Sequence, residues 1–156
     1  MRRLLAAGVL PLLLAAGLAT STATTVQAAS RSCTSWSWFE EFLVVFPEDP
    51  PGSAHGFAQV PTVGAGTHDA NCVLGVGNQG PAVAVLQTAL AVCNGHPPQG
   101  GADGIYGTHT RDAVKATQRD LGISADGVYG PQTRSVMGWP VALDNGGRSC
   151  LIGDPV

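Results

Sequence analysis

Positive charge is scarce in this chain. Only 8 lysines and arginines stand against 11 acidic residues in 156, and charged residues of both signs make up 12%. Arg2 and Arg3 head an apolar stretch from Leu4 to Leu18, which leads to the small-residue sequence Val26-Gln-Ala28. This pattern reads as a secretory signal over residues 1–28, with general secretion favoured over twin-arginine export because Leu-Leu-Ala-Ala follows the arginines. Cleavage after Ala28 leaves six basic and eleven acidic residues, a formal charge of −5. Nucleic acid and anionic membranes are therefore poor candidates as partners. The apolar stretch is interrupted by Gly8, Pro11 and Gly17 and is short for a membrane span, so none is expected after signal cleavage.

Catalytic and metal-binding signatures are missing as well. There is no Cys-x-x-Cys, no His-Glu-x-x-His and no nucleophile-elbow motif, and His55, His68, His96 and His109 are scattered. No zinc site, cofactor or Ser-His-Asp set is expected. Cys33, Cys72, Cys93 and Cys150 make an even count in an exported chain, which reads as two disulfides. Three pairings are open. Cys33–Cys72 with Cys93–Cys150 is favoured, and a Cys72–Cys150 clasp comes next.

What the chain does contain is one passage written twice. Ala82-Val-Ala-Val-Leu-Gln-Thr-Ala-Leu90 returns as Ala113-Val-Lys-Ala-Thr-Gln-Arg-Asp-Leu121. Ala102-Asp-Gly-Ile-Tyr-Gly-Thr-His-Thr110 returns as Ala125-Asp-Gly-Val-Tyr-Gly-Pro-Gln-Thr133. The first copy is longer, and Cys93 to Gly100 is the natural place for the insertion. An internal repeat constrains everything else. Val83, Leu86, Leu90 and Cys93 fall on one helical face, as do Ala113, Val114, Thr117 and Leu121, with Gly122 placed to end the second helix. A short third helix is expected from Pro131, burying Val136 and Met137 and stopping at Gly138. Between helices, the Asp-Gly-(Ile/Val)-Tyr-Gly turns are expected to point Ile105 and Val128 inward. Gln87 and Gln118, on the apolar sides of their helices, suit the holding of a neighbouring turn. Asp103 and Asp126 could suggest an acid–base pair, but each begins an Asp-Gly turn, and a duplicated residue favours the structural role.

The order Leu74-Gly-Val-Gly-Asn-Gln-Gly-Pro-Ala-Val-Ala-Val-Leu-Gln87, followed twice by Asp-Gly-x-Tyr-Gly-x-x-Thr, resembles the type 1 peptidoglycan-binding domain of bacterial cell-wall proteins. The resemblance covers residues 72–139. Thr117 departs from it, since the family usually has an aromatic residue there. It implies a mainly α fold: a small three-helix bundle built from two half-repeats. The implied ligand is peptidoglycan. Residues 29–71 then form an irregular N-terminal lobe that admits a β-hairpin, with Phe57 to Pro61 returning after the break at Pro47–Gly52. Residues 140–156 form a covering tail with a turn at Asn145-Gly146. Neither flank is long enough for a separate catalytic domain.

The expected ligand contact combines Tyr106 and Tyr129 with His109, Arg111, Gln132 and Arg134 at the helix starts, where carboxylates of stem peptides would be favoured. Trp36 and Trp38 could stack on sugars, but packing onto the repeat domain is the preferred reading. The expected function is that of a secreted, non-catalytic peptidoglycan-binding protein. An interaction or inhibitory protein acting on another secreted cell-wall protein, or a minimal cell-wall hydrolase, are the rivals.

Overall fold

The computed structural model describes residues 31–46 and 52–156. The expected signal segment, residues 1–28, and most of the Pro47–Gly52 break lie outside the described residues. Strands β1 (Ser35–Phe46) and β2 (Gly52–Thr62) come first, then helices α1 (Pro81–Cys93), α2 (Thr108–Asp120) and α3 (Pro131–Arg134). Strands β3 (Gly138–Leu143) and β4 (Arg148–Ile152) complete the chain. No helix among the described residues is long and apolar enough to cross a membrane.

The expectation of a mainly α three-helix bundle is corrected by the sheet. All four strands join in one antiparallel sheet in the order β1-β2-β3-β4. The N-terminal lobe forms its hairpin, with Ser35 opposite Thr62 and Phe39 opposite Ala58. The tail does more than cover the domain. Its Asn145-Gly146 turn, closed by Leu143 N–H donating to Gly147 O at 3.0 Å, makes a second hairpin, and β3 pairs with β2 from Gly56–Leu143 to Ala58–Val141. The duplicated passage is thus inserted between two hairpins that find each other in space. The physical reason is burial: Phe39, Ala58, Val60, Val141 and Leu143 share one core with Leu74, Val83, Leu86, Leu90 and Val114. Helices this short cannot bury enough apolar surface alone, and α1 packs against β1, β2 and β3.

The helices follow the sequence closely. Val83, Leu86 and Leu90 of α1 are fully buried. Helix α2 ends in a Schellman motif, with Gly122 N–H donating to Arg119 O and Ile123 N–H to Gln118 O. Gly107 caps its start. Helix α3 ends earlier than expected: Ser135 caps it, Met137 is buried beyond it, Val136 is only half-buried, and Gly138 already belongs to the sheet. The disulfides are Cys33–Cys72 and Cys93–Cys150, the favoured pairing. One ties the start of the first hairpin to the loop before the repeat; the other ties the end of α1 to β4.

Candidate functional site

The two Asp-Gly turns are built alike, atom for atom. Gln87 Nε2 donates to Asp103 Oδ1 (2.8 Å), Thr110 Oγ1 (3.0 Å) and Ile105 O (3.2 Å), while its Oε1 accepts from Gly104 N–H at 2.8 Å. Gln118 repeats the set with Asp126 (2.9 Å), Thr133 (3.0 Å) and Val128 O (3.0 Å), and accepts from Gly127 N–H at 2.8 Å. A buried carboxamide satisfied at both ends fixes a turn firmly, because leaving any of these groups unpaired in the core is costly. The glycines are required here. Gly104 and Gly127 both have φ of 75°, and a Cβ on Gly127 would lie 2.7 Å from Arg111 Cγ.

The loop from Leu74 to Gly80 joins the two turns. Leu74 and Tyr129 exchange backbone hydrogen bonds of 2.9 Å, Tyr106 N–H donates to Asn78 O (2.9 Å), and Gly80 N–H to Gly104 O (2.8 Å). The result is one surface made of a loop and two matched turns. In each turn the Ile or Val does not point inward as expected. Ile105 (51% exposed) and Val128 (42%) point outward, and the tyrosines point in. Alternation along the extended residues after the Asp-Gly corner explains this: one of each neighbouring pair must face the core, and the larger ring takes that place.

This duplicated unit is the part of the chain that a known family matches. Residues 79–137 match the putative peptidoglycan binding domain family. The resemblance read from the repeated motif is borne out. Among solved structures, a peptidoglycan-binding protein from Clostridioides difficile, in complex with glutamine hydroxamate, is 25% identical with a TM-score of 0.41. The alignment covers 60% of this chain and 63% of that one, so the chain spans less than two thirds of its length. No curated protein matches the chain.

Within the matched region, the six residues expected at a ligand contact divide into two groups. Tyr106 and Tyr129 are buried. The Tyr106 hydroxyl donates to Gly127 O at 3.0 Å, and burial, with Asp126 nearby, raises its pKa. Burial raises that of Tyr129 as well, against the attraction of Arg134. Both are neutral phenols wholly inside the fold, so neither ring reaches the surface where a ligand would lie. Arg134 is also interior: Nε and Nη2 grip Asp154 at 3.0 and 3.1 Å, and Nη1 donates to Ala70 O at 2.6 Å. His109 and Gln132 are exposed, at the starts of α2 and α3. Arg111 is half-buried, pairs with Asp112 at 2.8 Å, and lays its stem over the second turn at Gly127.

The two turn aspartates are structural. Asp103 Oδ1 accepts from Ile105 N–H at 2.9 Å and Asp126 Oδ1 from Val128 N–H at 2.8 Å. The Ile105 amide, with the Gln87 amide behind it, holds the Asp103 carboxyl below the usual carboxylate range. Sequence reasoning missed the outward Ile105 and Val128, together with Val76 on the joining loop (61% exposed). The available signal was the strict alternation around an obligatorily buried tyrosine.

Proposed function

We propose that this is a secreted protein that binds peptidoglycan and does not cleave it. The observation that carries the reading is the family match over residues 79–137, which supports peptidoglycan binding. The contact surface on this reading is the pair of matched turns with their joining loop. Val76, Ile105 and Val128 offer apolar contact, and His109, Arg111 and Gln132 supply polar and cationic groups for the carboxylates and amides of stem peptides. Tyr106, Tyr129 and Arg134 act beneath this surface, holding it in shape.

A rigid surface suits the task, because little conformational freedom is lost on binding. Weak single contacts become retention when the polymer repeats the ligand many times. The non-catalytic reading is supported by the structural role of the turn carboxylates, each of which accepts from a backbone amide of its own turn. Asp103 is kept ionised by the donors it serves, which makes it a poor general acid near neutral pH.

Co-sedimentation of the oxidised chain with insoluble peptidoglycan tests this directly, with the supernatant assayed for released fragments. The expected outcome is protein in the pellet and no fragments. Released muropeptides would make it a hydrolase. Protein left in solution would remove the binding reading.

A further inference from the structure

The chain has three tryptophans, and they are used in different ways. Trp139 is fully buried, stacks edge-on against Tyr129 at 6.1 Å and donates its indole N–H to Arg134 O. Trp38 is 46% exposed, and Trp36 is half-buried beside it at 5.6 Å, the two rings nearly perpendicular. Residues 36, 38 and 40 lie on one face of β1, so Glu40 continues the row. This row lines an open cleft of about 1080 Å³ that His68 and Asp154 border on the other sides.

The walls of the cleft are held in place. His68 rests on the edge of Phe39 at 5.2 Å. The 64–68 turn is closed by Gly64 N–H donating to Thr67 Oγ1 and by Thr67 Oγ1 donating to Gly64 O. Asp154 is fixed and neutralised by Arg134. Among the described residues no lysine or arginine lines the cleft, so it does not suit an anionic ligand. Two aromatic rings forming a floor and a wall, with a carboxylate and a serine hydroxyl (Ser35) at hand, suit a neutral polyhydroxylated ring. Its C–H face packs on an indole while its hydroxyl and acetamido groups donate to Glu40.

We infer that this cleft is a saccharide site, separate from the turn surface, that takes a neutral N-acetylhexosamine stretch of a glycan chain. The identity of the polymer rests on the peptidoglycan reading; the sugar chemistry rests on the cleft. The protein would then hold glycan through its sheet and stem peptide through its repeat.

The test uses the oxidised chain and a β-1,4-linked N-acetylglucosamine tetramer, followed by NMR on the three indole N–H signals. The expected result is that Trp36 and Trp38 shift while Trp139 does not, and that Trp38→Ala weakens binding about tenfold. An unmoved Trp36 and Trp38 at millimolar tetramer, or unchanged affinity in Trp38→Ala with an unshifted Trp139 signal confirming the fold, would overturn it. Pelleting with insoluble peptidoglycan separates the two readings. Wild-type protein that pellets while the tetramer shifts neither indole leaves wall binding standing and removes the cleft. Shifts without pelleting do the reverse.

Discussion

Gln87 and Gln118 make matching sets of four hydrogen bonds, with lengths that agree within about 0.2 Å, yet the tyrosines that follow them end differently. Tyr106 reaches forward into the second copy and donates to Gly127 O. Tyr129 has no further copy to reach into. Trp139, from the sheet, occupies the neighbouring space, and the Tyr129 hydroxyl is buried with no hydrogen-bond partner among the described residues. Thr117, the departure from the family pattern, adds a second buried hydroxyl in the same copy that has no partner among the described residues. The comparison separates two kinds of encoding. A contact within one copy is duplicated along with the sequence; a contact between copies exists only where there is a next copy, and the last unit must be capped by something else.

Breaking the staple is the strongest way to probe this likeness. Gln87→Ala and Gln118→Ala should each cost about 3 kcal/mol, since each strands a buried glycine N–H and opens a cavity. Urea denaturation reads both. If Gln118→Ala costs much less, the Arg111 and Lys115 stems packed over Gly127 hold the second turn on their own, and the two copies are less alike than their hydrogen bonds imply.

Removing the phenol oxygens should sharpen the difference. Tyr106→Phe loses the bond to Gly127 O and should cost about 1 kcal/mol, whereas Tyr129→Phe removes an unpaired group and should be neutral or slightly stabilising. Equal losses measured by thermal unfolding would mean that Tyr129 has a partner, and the capping argument would fail.

The smallest effect concerns acid. Asp103 is held below its ordinary carboxylate value in the folded chain. Its contribution is therefore complete above the unfolded carboxylate value of about 3.9 and fades as pH drops through the lower folded value. Asp103→Asn should flatten that part of the stability curve. A stability profile through acid pH that is identical for Asp103→Asn and the wild type would show that the turn does not depend on the charge.

Much of the repeat was legible before any coordinates. Helical faces, the Gly122 stop, the Pro131 start and the structural roles of Gln87 and Gln118 all follow from spacing of three and four residues and from the chemistry of a buried amide. The contact residues were less legible. Tyr106 and Tyr129 read as partly buried with exposed rims, and Arg134 as a surface group, because each sits beside a turn or a helix start. Which neighbour of a turn faces inward depends on what volume the core must fill, and motif spacing carries no information about that.

The residues alone carry the duplicated staple, the disulfide candidates and the peptidoglycan-binding resemblance of residues 79–137, because these depend on residues close in the chain or on an ordered set of motifs. Tertiary structure decided that the flanks form a single sheet around the repeat. Gly56 to Ala58 pairs with Val141 to Leu143 across more than half the chain, and strand pairing of that range is set by the joint burial of two apolar faces, which neither strand displays alone.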